Sequence, residues 1–138
     1  MCLVREGTSD EVIRIKHPAN AYELVKDELA GSDREMILSV MLTVKNDLIG
    51  VETVSIGSIV STTITPRDVF KSAILANAVA IIVCHNHPSG DLTASNEDIE
   101  LTNQFVKAGE LLGIKVLDHL IVSSQGYISL RDYHKFLN

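Results

Sequence analysis

The chain has 138 residues, 46% of them apolar. That suits one domain of ordinary size, able to bury roughly 68% of its unfolded surface without staples. Two cysteines, Cys2 and Cys84, are too few for a disulfide framework and suit a reducing compartment. The net charge of −6, with twelve Lys and Arg scattered among eighteen Asp and Glu, counts against a broad electrostatic contact with nucleic acid, although a local basic patch stays open.

No stretch approaches the ~18 apolar residues of a membrane span. The longest apolar-rich run, Ala73 to Cys84, is broken by Asn77. The start, Met1-Cys2-Leu3-Val4-Arg5-Glu6-Gly7, lacks the basic opening and apolar middle of a signal peptide. The expectation is a cytoplasmic protein with no membrane partner.

Residues 1–17 read as a polar lead-in with one short strand, Glu11 to Lys16, and residues 18–138 as a single domain. Pro18 opens a helix in which Ala21, Leu24, Val25 and Leu29 recur at helical spacing, and Gly31 stops it. Met36 to Val44 is almost wholly apolar and predicts a buried strand. Lys45-Asn46-Asp47 turns the chain into a second strand, Leu48 to Ser55. The Ser/Thr-rich segment Ser58 to Thr63 is either an edge strand that accepts an extended peptide or a polar edge facing water.

Thr65-Pro66 caps the next helix, with Val69, Ala73, Leu75 and Ala76 inward. Ala78 to Cys84 predicts a central strand and His85 to Thr93 a loop punctuated by Pro88 and Gly90. Ser95 to Leu112 is a long helix closed by Gly113. Strands at Lys115 to Leu117, Leu120 to Ser123 and Tyr127 to Ser129 follow, then a helical turn at Arg131 to Phe136. The alternation predicts an α/β fold, a mixed β-sheet flanked by helices on both sides.

The residues that carry chemistry follow the central strand. His85 and His87 are two apart, so in extended backbone they point to the same side and can converge on one ion. Asp98 follows in the first turn of the long helix. Imidazole nitrogen and carboxylate oxygen suit zinc, and three protein ligands leave a fourth position for water, as catalytic sites do. The bland alternatives stand beside this. An H-x-H pair after a strand is often plain polar surface. Ser95 and Asp98 also fit an ordinary capping box, with the carboxylate favoured by the helix dipole.

The longer string decides between them. His85-x-His87-Pro88-Ser89-Gly90, with Ser95-x-x-Asp98 and ten residues between His87 and Asp98, resembles the JAMM motif of the MPN (JAB) metalloprotease family. Ile74-Leu75-Ala76-Asn77-Ala78, His85 through Asp91, Leu111-Leu112-Gly113-Ile114 and Leu117-Asp118-His119 are similar to its bacterial RadC branch. The resemblance covers nearly all of residues 18 to 131. It implies a cytidine-deaminase-like fold and zinc held by His85, His87 and Asp98. It further implies Ser95 as an oxyanion donor and Glu35, just before the first core strand, as general acid/base. From the residues alone Glu35 is an exposed charge ending a loop, and Glu28 and Glu52 are equally available. Deaminase chemistry itself is not expected, because it needs H-x-E with P-C-x-x-C and neither string is present.

The resemblance therefore implies a zinc-dependent hydrolase acting on a peptide or protein amide. A DNA-repair-associated role on or near DNA is the alternative, and a non-catalytic binding module is a third. RadC proteins usually carry an N-terminal helix-hairpin-helix region, and eukaryotic relatives carry ubiquitin-gripping insertions. This sequence is expected to have room for neither, which leaves the substrate open. His119 reads as a half-buried histidine in preference to a support behind the site, and Cys84 as core. His17 and His134 read as surface, and Ser89 and Asn86 as further hydrogen-bond donors near the cluster.

Overall fold

The computed structural model describes residues 2–3, 11–56 and 64–134. Its elements are β1 (Cys2–Leu3), α1 (Pro18–Ala30), β2 (Met36–Leu42), β3 (Leu48–Ile56), α2 (Pro66–Leu75), β4 (Ala80–Asn86), α3 (Asn96–Leu112), β5 (Lys115–Ser123), β6 (Gly126–Ser129) and α4 (Leu130–His134). The strands form one sheet in the order β1-β3-β2-β4-β5-β6. Among the described strands only β4 and β5 run parallel, joined through α3, and every other pair is antiparallel. The expected mixed sheet with helices on both faces is what the chain adopts.

Alternation along the strands divides the core in two. Leu38, Val40, Ala80, Ile82, Cys84, Leu120 and Val122 face α1, where Ala21, Val25 and Leu29 cover them. Ile37, Met41, Ile81, Val83 and Val116 face α2 and α3, which bring in Phe70, Ala73 and Phe105. Phe70 and Phe105 are fully enclosed, a burial that contributes roughly 1.5–3 kcal/mol for each such side chain. Burial pushes the Cys84 thiol well above its usual range, so it is an inert core group as expected.

Several boundaries differ from the sequence expectation, each for a physical reason. The strand expected at Glu11 to Lys16 reduces to one bridge between Arg14 and Asp47, although Ile15 is buried in the core. Strand β2 stops at Leu42 because Thr43 begins the turn, closed by Thr43 N–H to Asp47 C=O at 2.9 Å, and Val44 is left 80% exposed. In α2, Phe70 and Ser72 take the inward places, while Leu75 lies at the helix end, 73% exposed. The Ser58 to Thr63 segment and the end of the Arg131 to Phe136 turn lie outside the described residues.

Two differences matter for the site. Strand β4 does not stop at Cys84 but continues through Asn86, because His85 pairs with Ile37 on one side and Ile121 on the other. The strands expected at Lys115 to Leu117 and Leu120 to Ser123 are one, β5, interrupted by a bulge: Val116 lies opposite Ile81, but Asp118 opposite Ile82. The extra residue shifts the alternation by one. Val116 faces α2 and α3 and Leu117 packs on the α1 side, yet beyond the bulge it is Leu120 and Val122 that face α1. His119 is thereby turned toward α3.

Two glycines at the end of α3 fix how the chain enters β5. A Cβ on Gly109 would lie 2.3 Å from the Ile114 carbonyl oxygen, whereas one on Gly113 would meet nothing but must hold φ at +74°. Gly109→Ala is expected to cost about 2–3 kcal/mol through overpacking, and Gly113→Ala about 1 kcal/mol through the left-handed backbone. Urea denaturation of the two variants checks the order.

Candidate metal centre

The cluster forms at the carboxyl end of β4, beside the crossover to β5, where open α/β sheets place their ligands. His85 and Asp98 are buried, with 1% and 4% exposure, and His87 is partly open to solvent. One ligand atom from each lies within 4.8 Å of the others. His85 Nε2 is 3.2 Å from Asp98 Oδ1, and His87 Nε2 is 3.3 Å from Asp98 Oδ2.

Asp98 is held by the start of α3. Ser95 is the N-cap: its Oγ accepts from Asp98 N–H at 3.1 Å, and its N–H donates to Asp98 Oδ2 at 2.8 Å. The capping box and the cluster are therefore one arrangement. The chain contains a control for this. Thr65 and Asp68 form the same box at α2, but Asp68 is exposed. What sets Asp98 apart is burial against two imidazoles. Burial alone would push its carboxyl upward, but the His85 and His87 rings and the Ser95 N–H more than offset this and hold it well below the usual range.

The tautomers of both histidines follow from their other contacts. His87 Nδ1 lies 2.8 Å from the Asp91 carbonyl oxygen, which can only accept, so Nδ1 carries the proton. For His85 the reasoning runs through three groups. The Thr102 hydroxyl donates its one proton to the Asp98 backbone carbonyl at 2.7 Å. Its oxygen must then accept from His119 Nδ1, which makes Nε2 of His119 an acceptor. His85 Nδ1 lies 2.7 Å from that Nε2 and so donates to it. Burial, then the neighbouring His85, holds His119 well below the ordinary histidine range, so the ring is neutral. His85 and His87 thus both carry their proton on Nδ1 and turn an Nε2 lone pair toward the carboxylate.

This leaves an electrostatic debt at the centre. Among the described residues His85 Nε2 is a buried ring nitrogen with no hydrogen-bond partner, although Asp98 is near. A lone pair facing a carboxylate at that distance calls for a cation between them, either a proton or a metal ion. Two imidazoles and one carboxylate are a fitting donor set for a divalent metal. His85, His87 and Asp98, the three residues expected from the sequence, are brought together.

Glu35 lies immediately before β2, half-buried, where its charge acts on His87. Ser95 caps α3 beside Asp98, and because its Oγ accepts from the Asp98 N–H, its own proton is left to donate. The sequence reading undervalued His119, which is enclosed behind His85 and only 1% exposed. It missed Thr102, whose signal was its place four residues after Asp98 on one helix face. Asp118 belongs to the fold: it accepts from Ser129 Oγ at 2.6 Å and from the backbone N–H groups of His119 and Arg131.

Two outcomes follow for metal binding. His119→Ala removes the acceptor for His85 Nδ1, and divalent-metal affinity is expected to fall about 10–100-fold. Thr102→Val acts one bond further away and is expected to weaken affinity less. Competition titration with a chromophoric chelator ranks the two. The His87 pKa is raised, chiefly by Asp98 against the opposing cost of burial. A metal needs the unprotonated Nε2, so protons compete below that raised pKa. Affinity is then expected to begin falling at a higher pH than for an ordinary histidine of about 6.5, measured by the same titration across pH.

Comparison with known proteins agrees with this construction. Residues 15–135 match the family model described as RadC-like JAB domain. A UPF0758 protein of Caldanaerobacter subterraneus subsp. tengcongensis is 45% identical over 132 residues, covering 94% of this chain and 57% of that protein. Its counterpart in Protochlamydia amoebophila is 45% identical over 123 residues, 89% of this chain and 53% of that protein. One in Moorella thermoacetica is 47% identical over 118 residues, 86% and 52%. The chain thus spans a little over half the length of these curated relatives. The family match runs through the sheet, the crossover and the cluster at its end, and the chain belongs to the RadC-like JAB domain family.

Proposed function

We propose that the chain is a zinc-dependent hydrolase that cleaves a peptide or isopeptide amide. The observation that carries this reading is the pair of Nε2 lone pairs, one fully buried, converging on the Asp98 carboxylate. The imidazole donors favour zinc over magnesium, which prefers oxygen ligands. When bound, zinc would act as a Lewis acid, polarising a carbonyl and lowering the pKa of a water to about 7.

The remaining work falls to two side chains. Glu35, at the His87 edge, takes a proton from the attacking water and delivers it to the departing amine nitrogen. Ser95 donates its hydroxyl proton as a hydrogen bond to the oxyanion that forms on the carbonyl, an effect of about 3–4 kcal/mol for a well-aimed donor. Its capping bond supports this role, because accepting from Asp98 N–H fixes the oxygen while leaving its proton to donate. Among the described residues no helix is long and apolar enough to cross a membrane.

The test pairs metal content with cleavage of peptide and isopeptide-linked libraries. Wild type is expected to carry one zinc per chain and to hydrolyse a subset. Glu35→Gln is expected to keep its zinc and lose about 10²–10⁴-fold in rate. Stoichiometric zinc with no amide hydrolysed would overturn the peptidase reading.

A further inference from the structure

Asn86 stands between the two histidines in sequence but points to the other face of the sheet. It is 1% exposed, and its carboxamide is fully engaged with the chain that links α1 to β2. Its Oδ1 accepts from Met36 N–H at 2.7 Å. Its Nδ2 donates to the Arg34 carbonyl at 2.8 Å and to the Leu29 carbonyl at 3.1 Å. The orientation of the amide is forced, since an N–H can only donate and the two carbonyls can only accept.

The Leu29 bond is ordinary: it adds a donor to a carbonyl in the last turn of α1 that also accepts from the Gly31 N–H and, at 3.4 Å, from the Ser32 N–H. The other two are not arbitrary in position. The Arg34 carbonyl belongs to the peptide group that precedes Glu35, and the Met36 N–H to the one that follows it. One side chain therefore holds both peptide planes flanking Glu35, and so fixes the two backbone dihedrals that aim its carboxylate. That side chain grows from the residue between His85 and His87.

We propose that Asn86 is a positioning residue: it locks Glu35 to the end of β4, which carries His85 and leads directly into His87, so that carboxylate and metal site share one frame. The proposal rests on the role given above to Glu35. Loop 31–35 pairs with no strand among the described residues, and a group that must meet a reacting proton within hydrogen-bond reach needs support. Asn86 acts through Glu35 and touches neither metal nor substrate.

The experiment uses the full chain as wild type, Asn86→Ala and Glu35→Gln, with Zn²⁺ as the only ligand. Three quantities are read: Zn²⁺ affinity, amide exchange at Met36 and Val83, and the side-chain carboxyl carbon resonance of Glu35 with and without Zn²⁺. In wild type the Glu35 resonance is expected to move on Zn²⁺ addition. In Asn86→Ala, Zn²⁺ affinity is expected to stay within about threefold, well short of the 10–100-fold lost when a ligand's support is removed. Met36 exchange is expected to rise about 100-fold or more while Val83 stays protected. The Glu35 resonance is then expected to stop responding to Zn²⁺.

A Glu35 signal in Asn86→Ala that still moves as in wild type would overturn the inference alone. So would a loss of Zn²⁺ affinity as large as that of a ligand variant, because Asn86 would then serve the histidines. A wild-type Glu35 signal indifferent to Zn²⁺ would remove the role of Glu35 itself, and this inference with it. If Asn86→Ala does not fold, the unmutated chain still decides. Its Met36 N–H and Asn86 carboxamide protons must exchange as slowly as the amides of β4, and fast exchange at either refutes the clamp.

Discussion

The structure depends on where one proton sits. With its hydrogen on Nδ1, His85 offers Nε2 as a lone pair, and with the hydrogen on Nε2 it would offer none. That choice is fixed by a chain of hydrogen bonds from His85 through His119 and Thr102 to the backbone carbonyl of Asp98. The chain begins at the His85 ring and ends on the main chain of Asp98, so the tautomer, the ring orientation and the first turn of α3 are set together. Every link is buried. A neutral ring is the only form of His119 that burial tolerates cheaply, and a neutral ring can relay direction because each nitrogen has one role.

This explains why an ordinary-looking fold carries a specific site. The sheet supplies two faces, and β4 uses both at its end: His85 toward α3, Asn86 toward α1. A helix cap that would be routine elsewhere, as at Thr65 and Asp68, becomes part of the centre because the end of β4 and the residue after it deliver two imidazoles to it. The same hydrogen bonds that begin the helix hold the carboxylate still. Local structure and ligand geometry are satisfied by one set of contacts.

Much of this was legible in the sequence, and the reason is distance along the chain. The H-x-H pair, the capping serine and Asp98 obey local rules, and the helix and strand periods place them. His119 was not legible as a support. Its partner His85 is 34 residues away, and the bulge that turns it inward has no local signature in Val116-Leu117-Asp118. Thr102 looks like any polar helix position, because the neighbour that gives it a role, His119, lies on the sheet 17 residues later. Asn86 reads as a loop residue, because its three partners lie 50 or more residues earlier. Glu35 could not be told from Glu28 or Glu52 without the strand that it precedes.

The bulge in β5 makes the site sensitive to counting. A substitution at Leu117 changes a half-buried side chain and leaves the parity of the strand intact. Even pairing of β5 with β4 at its present length would flip every residue after Leu117, and the apolar character of Leu120, Ile121 and Val122 would let either face pass as core. Such a chain could keep a sheet and its helices while presenting Asp118 and Leu120, instead of His119, toward α3. Removal of one residue at the bulge would instead leave His119 facing α3. In this domain one extra residue in a strand pairing is as much a determinant of chemistry as the identity of any residue around it.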